Sequence, residues 1–263
     1  MTRKNILKKT LSKDGICIIT FTNPEKRNPL TLALINQLQL ELKNIKNSKM
    51  IKVLILKSTG PSFCSGHDLS EVKEFSKSNT KLLKLFKTCS NMMQTIREIP
   101  QPVIACVDGL AAAAGCQLVA SCDLAIASQD SSFQTPGVNI GLFCSTPMVA
   151  ISRKMKPKDM MYMLLTGEKV MAKAAKSYGL INDVVPKSKL DKQVLKIAKL
   201  ISKKSLESIN IGKVAFYKQL EMPMNEAYDY TSIVMAKNMT YKDAQEGINA
   251  FIQKRRPLWN KNK

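Results

Sequence analysis

The sequence predicts an α/β core followed by a mainly helical C-terminal part. Three observations carry that expectation. Short runs rich in β-branched residues alternate with segments of helical spacing through the first half of the chain. From Pro157 onward almost every segment reads as helix, broken at Gly167, at residues 179–186 and at 222–224. The 263 residues suffice to bury a sizeable core, and no Pro- or Ser-rich linker separates the two parts.

In chain order, Ile16–Phe21 is a β-rich run and residues 23–29 carry turn chemistry. A helix opens at Thr31, where Leu34, Ile35, Leu38, Leu42 and Ile45 keep helical spacing. Residues 53–56 form a buried strand, and a Gly60-Pro61 turn leads into FCSGHDL and a polar helix from near Leu69. A helical stretch at 81–98 precedes a strand at Val103–Val107. The small-residue segment GLAAAAG follows, then helix at 116–121 and a strand at 124–127. The reading divides the chain at residue 200, into a core at 1–200 and a helical region at 201–263.

Forty-one Lys and Arg against 20 Asp and Glu give a net charge of +21, which attracts nucleic acid, anionic lipid or a phosphorylated small molecule. Aromatics make up only 6% and are not interleaved with the basic runs, so a base-stacking nucleic-acid platform is disfavoured against a solvated, lysine-rich surface. The basic runs include Arg3, Lys4, Lys8 and Lys9 at the start and Lys254, Arg255, Lys261 and Lys263 at the finish. The apolar region at 102–127 is interrupted by Asp108, Gln117 and Asp123, leaving no membrane span.

Seven cysteines form no CxxC pair and sit mostly in apolar stretches, the pattern of reduced, buried thiols. His67 is the only histidine, so no metal site is expected. The N-terminus, MTRKNILKKTLSK, is basic and acid-poor as transit peptides are, but it lacks an apolar region and a strand pattern begins at Ile16. A cytoplasmic location is expected, with mitochondria as the alternative. Phosphate-loop, dinucleotide and nucleophile-elbow motifs are absent from the sequence.

Two glycine-flanked turns hold the chemical interest. Ser65-Gly66-His67-Asp68 follows a strand and precedes a helix, and glycine there lets the backbone come close to a ligand. Between Gly109 and Gly115 four consecutive alanines leave nothing larger than a methyl before the next helix. A ligand carbonyl reaching a helix N-terminus meets free N–H groups and partial positive charge, so two such turns can form an oxyanion hole. The same small residues could instead serve helix–strand packing alone.

These segments, with GICIITFTNPEKRNPLT, PQPVIACVDGLAAAAGCQLVASCDLAIAS, SSFQTPGVNIGL and AFIQKRRP, give the chain a resemblance to the enoyl-CoA hydratase/isomerase, or crotonase, superfamily that runs nearly end to end. The HDL triplet and GVNIGLFCST are similar to the mitochondrial domain-containing subgroup. The resemblance implies a spiral of β-β-α units with a helical C-terminal trimerisation region. It implies an acyl-CoA ligand, no cofactor beyond that coenzyme A thioester, and a homotrimer or hexamer.

Residue by residue, the resemblance places the thioester oxygen between the N–H groups of His67 and Ala114, and the coenzyme along the Lys26-Arg27 turn and the His67-Asp68 turn. For Lys26 and Arg27 a solvated turn is the other reading. Phe251 and Lys254 match residues that reach a neighbouring subunit's coenzyme, or else belong to an amphipathic surface helix. At the two catalytic glutamate positions of hydratases this chain has Gln117 and Gly137. Gln can orient water but cannot exchange a proton near neutral pH, and Gly has no side chain.

The His67 ring is the titratable candidate near the hole, as acid, base or wall. Cys64 and Cys144 lack a second histidine to activate them and read as buried apolar residues, and Asp108 and Asp123 read as structural hydrogen-bond partners. An enoyl-CoA hydratase or isomerase is the leading expectation. The alternatives are a catalytically weakened acyl-CoA-binding regulatory or scaffold subunit and, less favoured, a nucleic-acid-binding homologue.

Overall fold

From the third strand to the eighth, successive strands enter a large sheet and a smaller one in turn, so the backbone advances as a spiral. This is seen in a computed structural model that describes residues 6–259; Arg3, Lys4, Lys261 and Lys263 lie outside those residues. The large sheet has the order β1 (Leu7–Leu11), β2 (Ile16–Phe21), β3 (Val53–Ser58), β5 (Val103–Val107), β7 (Leu124–Ser128) and β10 (Asp183–Val185). The small one runs β4 (Ser62–Cys64), β6 (Leu110–Ala112), β8 (Ser132–Gln134) and β9 (Val170–Met171). All neighbours pair in parallel except β1 with β2 and β8 with β9.

The corner between the sheets is glycine's work at Gly60 and Gly109, with φ of +84° and +80°. A Cβ on Gly109 would stand 2.0 Å from the Pro61 carbonyl oxygen, so successive corners stack too tightly for any side chain. This is the β-β-α spiral that the resemblance implies.

Inside the large sheet the alternation of side chains fills two cores. Cys17, Ile19, Leu54, Leu56, Val103, Ala105 and Val107 face one side, and Ile16, Val53, Ile55, Ile104, Cys106 and Ile126 face the other. The first side is covered by α1 (Leu32–Lys46), α3 (Asn79–Glu98) and α4 (Ala114–Ser121). All five apolar residues expected on α1 are buried, and the Thr31 hydroxyl caps the helix by accepting from the Leu34 N–H. The second side is covered by α8 (Lys187–Ser202) through Leu190, Val194 and Ala198.

The remaining helices are α2 (Leu69–Phe75), α5 (Ser145–Ile151), α6 (Pro157–Thr166), α7 (Ala172–Ser177), α9 (Leu206–Gln219), α10 (Met224–Met239) and α11 (Lys242–Ile252). Lys213 of α9 fastens the helical end to the core. Its ammonium donates to the carbonyls of Ile96 and Gln101 and pairs with Asp123 at 2.7 Å.

Two sequence expectations need correction. The strand pattern does not begin at Ile16, because residues 7–11 already form β1, an edge strand whose Leu7 is buried while Lys8 and Lys9 face solvent. Lysines on an edge discourage pairing with another chain. The part after Pro157 contains β9, with β10 in the expected break at 179–186, and the second glycine turn contains β6, while β4 is the short strand ahead of the first. Strands of two or three residues are too short to display a period, so only their ladders reveal them.

Candidate functional site

The first turn leaves β4 at Cys64 and reaches α2 through Ser65, Gly66 and His67, with Gly66 at φ +92°. Ser65 donates its N–H to the Arg27 carbonyl at 3.1 Å, and Leu30 donates to the Gly66 carbonyl at 2.7 Å. The Lys26-Arg27 turn is thereby sewn to the Gly66 turn. Asn28, fully buried, holds it in shape: its amide donates to the carbonyls of Thr59 and Ser62, and its oxygen accepts from the Asn23 N–H. Lys26 and Arg27 point their charges to solvent on this turn.

The second turn leaves β6 and enters α4 at Ala114. Ala113 has φ 48° and ψ −116°, a costly conformation for a residue with a Cβ, and its N–H is fixed to the Gln134 carbonyl at 2.9 Å. The two turns lie against each other. A Cβ on Gly66 would stand 3.0 Å from both the Ala112 carbonyl oxygen and the Ala113 methyl, and 3.4 Å from the Ala114 nitrogen. Ala114 opens α4, so its N–H has no acceptor within the helix. Among the described residues, no turn, loop or cap hydrogen bond uses the N–H of His67 or Ala114.

The His67 ring sits between Leu30 and Phe86. Nδ1 lies 3.3 Å from the Leu30 carbonyl oxygen, and the ring meets Phe86 edge-on with centroids 5.4 Å apart. Burial pushes its pKa down, with the Leu30 carbonyl opposing. The neutral ring therefore carries its proton on Nδ1, while Nε2 is buried without a hydrogen-bond partner among the described residues. The neighbouring Asp68 has a structural task that the sequence did not reveal. Its carboxylate caps α2 by accepting from the N–H groups of Ser70 and Glu71.

Gln117 lies one helical turn beyond Ala114 on the same face of α4, and is 4% exposed. Its Oε1 is buried without a partner among the described residues. Gln117 lines a cavity of about 120 Å³ together with Ser90, Arg97, Ser121 and Thr146. Gly137 is buried at the start of the 3-10 turn Pro136–Ile140. A Cβ there would stand 2.9 Å from the Leu142 carbonyl oxygen and 3.0 Å from Cys144 Sγ. The space that a side chain at position 137 would need is thus taken by this chain's own backbone and a thiol.

All seven cysteines are buried and unpaired. Burial pushes the thiols of Cys64 and Cys116 up to about 12 and raises that of Cys144, so none is a ready nucleophile. Asp108 accepts from the Ser128 hydroxyl and pairs with Lys187, and Asp123 accepts from the Val103 N–H and the Tyr217 hydroxyl. Both aspartates do structural work, as expected. Phe251 is 85% exposed on α11, and Lys254 follows that helix at φ 53°. Sequence reading passed over Arg97, Arg153, Lys154 and Tyr217, which gather beyond Gln117. They come from α3, the turn after α5, and α9, and no spacing rule links such distant segments.

Comparisons with known proteins bear on the family and the fold. Residues 12–262 match the enoyl-CoA hydratase/isomerase family. Human mitochondrial enoyl-CoA hydratase domain-containing protein 3 is 49% identical over 247 residues, which are 94% of this chain and 81% of that protein. The crystal structure of human enoyl Coenzyme A hydratase domain-containing protein 3 superposes with a TM-score of 0.94 at 47% identity, covering 97% of this chain and all of that one. An enoyl-CoA hydratase structure from Mycobacterium smegmatis gives 0.95 at 39% identity, over 97% of this chain and 99% of that one. With its spiral, its paired turns and a match along nearly its whole length, this chain belongs to the enoyl-CoA hydratase/isomerase family.

Proposed function

We propose that this protein binds an acyl-CoA thioester with its carbonyl oxygen between the N–H groups of His67 and Ala114, and that this hole stabilises an enolate formed at the neighbouring carbon. The observation that supports the reading is the packing of the Gly66 turn against Ala113 and the Ala114 nitrogen, with neither the His67 nor the Ala114 N–H used by a turn, loop or cap hydrogen bond among the described residues. Because both donors are backbone, His67 and Ala114 serve through position rather than through their side chains. The exposed Lys26 and Arg27, on a turn bonded to the Gly66 turn, are suited to the phosphates of the coenzyme.

Ordinary hydration is weakened in this reading, since Gln117 cannot exchange a proton and Gly137 offers none. A second reading, an acyl-CoA-binding regulatory subunit with little turnover, draws support from the filled space at Gly137. Residues 201–263 serve assembly into a homotrimer or hexamer, which would bring Phe251 and Lys254 to a neighbour's coenzyme. A mitochondrial location rests on the named location of the human relative.

The test is the infrared carbonyl band of a bound acyl-CoA. The parent and Ala114→Gly shift it to lower frequency, and Ala114→Pro, which lacks the N–H, does not. Proline at the first helical position is tolerated, but it disfavours the Ala113 backbone, so circular dichroism must first show the parent's helix content. An unshifted band in the parent, or the same shift in a folded proline variant, overturns the reading.

A further inference from the structure

Two small cavities follow one another beyond Gln117. The nearer, of about 120 Å³, contains Gln117 and Ser121 of α4 in its wall. The farther, of about 190 Å³, is bounded by Arg97, Arg153, Lys154, Tyr217 and Glu221. Arg97 and Ala150 belong to both walls, so the cavities adjoin there. The Arg97 guanidinium turns to the farther side, 4.7 Å over the Tyr217 ring. Ala114, Gln117 and Ser121 share one face of α4, and seven residues of helix rise about 10 Å. That face leads from the proposed carbonyl site toward Arg97.

The charge at the far end does not balance. Glu221 is the carboxylate in the wall, half-exposed and 3.6 Å from both Arg97 and Arg153. Asp123 lies close by but is committed to Lys213 at 2.7 Å, to the Tyr217 hydroxyl at 2.9 Å and to the Val103 N–H. Lys154 has no salt bridge among the described residues, and its ammonium stands 5.3 Å over the Tyr217 ring. Burial and the charge of Arg97 push its pKa down, while Asp123 opposes. Three cations thus face one shared carboxylate across a small cavity; Arg153 stays 49% exposed, but Arg97, at 29%, and the half-buried Lys154 are partly withdrawn from water, where a counter-charge is favoured.

We propose that the acyl group of the substrate ends in a carboxylate, which Arg97 binds with Arg153 and Lys154 at the end of this channel. The proposal rests on the thioester carbonyl lying at His67 and Ala114. It names the substrate class, a dicarboxylic acyl thioester, that the same site takes. A wholly apolar chain along this path leaves the buried Gln117 Oε1 unsatisfied and the half-buried Arg97 and Lys154 partly dehydrated, both of which cost free energy. A carboxylate completes the far end, and a hydroxyl or water beside Gln117 satisfies its oxygen.

The test is isothermal titration of the full chain with matched thioesters: succinyl- against butyryl-CoA, glutaryl- against pentanoyl-CoA, and adipoyl- against hexanoyl-CoA. Coenzyme A, free glutarate and inorganic phosphate are the controls. At least one dicarboxylic thioester binds about tenfold or more tightly than its apolar partner, and Arg97→Gln and Lys154→Met each bring that ratio near one. Equal affinity within every pair overturns the proposal and leaves the carbonyl site standing. Free glutarate or phosphate binding as tightly as the thioester also overturns it, because the cations would then serve a separate anion. If no thioester binds better than coenzyme A itself, the acyl-CoA reading fails, and this proposal with it.

Discussion

The carbonyl oxygen of Cys64 lies so close to Gly115 that a Cβ on the glycine would stand 2.2 Å from it. One residue ends the short strand before the first turn, and the other is the second residue of the helix after the second turn. Their contact fixes the spacing of the two turns from below, as Gly66 against Ala113 does from above.

Gly115→Ala is expected to destabilise the protein by about 3 kcal/mol, at the upper end of overpacking costs, because the clash is with backbone that no rotamer change relieves. Urea unfolding measures it. A loss below about 0.5 kcal/mol would mean that the strand and helix can separate and that the turn geometry is not rigid.

His67 supplies a pH test, since it is the only histidine. Burial lowers its pKa in the folded protein below the ordinary 6.5, so as pH falls through 6.5 the unfolded chain takes up a proton that the folded chain refuses. Stability therefore decreases from pH 6.5 down to the folded pKa, by up to about 1.4 kcal/mol per pH unit, and the contribution is fully present above 6.5. His67→Gln should flatten urea-unfolding stability between pH 7.5 and 5.5. An unchanged slope in the variant would assign the effect to other groups.

Position 137 sets a limit on restoring hydratase chemistry. A side chain there meets the Leu142 carbonyl oxygen and Cys144 Sγ, so Gly137→Ala costs about 1–3 kcal/mol in urea unfolding. The obstacle is space, since Gly137 is not among the positive-φ glycines. Gln117→Glu alone should leave crotonyl-CoA hydration near the parent's low level, because two groups sharing one water act as a unit. Gains of about 10²-fold or more require Glu at both positions with the 142–144 segment displaced. A parent that hydrates crotonyl-CoA at ordinary hydratase rates overturns this account.

Lys213→Met removes the partner of Asp123 and the donor to two carbonyls. Lys213 is 6% exposed and Asp123 16%, so the abandoned charge is largely desolvated, and a loss of about 3–5 kcal/mol is expected. Replacing Asp123 and Lys213 together should recover part of it in a double-mutant cycle.

Met224, Tyr228, Ile233, Met235, Phe251 and Ile252 are each more than 60% exposed on α10 and α11. An apolar surface of this extent is expected to be covered by further copies of the chain. Light scattering at micromolar concentration should report a trimer or hexamer. A monomer would remove the assembly reading and the cross-subunit role of Lys254.

What the sequence determined by itself was local and periodic. The helix from Thr31 with its five buried apolar residues, the strand Val103–Val107 and the two glycine turns all follow from side-chain spacing and backbone freedom. The motif order along the chain brought the family with it. The substitutions Gln117 and Gly137 were equally plain, because a missing carboxylate can be read from one letter.

Tertiary structure decided the rest, wherever an outcome depended on segments far apart in the chain. The strands β4, β6, β8, β9 and β10 exist only through their ladders. Asp68 caps a helix, and the His67 ring turns to Leu30 and Phe86, since packing and not sequence chooses a rotamer. Arg97, Arg153, Lys154 and Tyr217 meet around one cavity because the spiral folds α3, the turn after α5, and α9 onto each other. Electrostatic energy depends on distance in space, and a sequence records only distance along the chain.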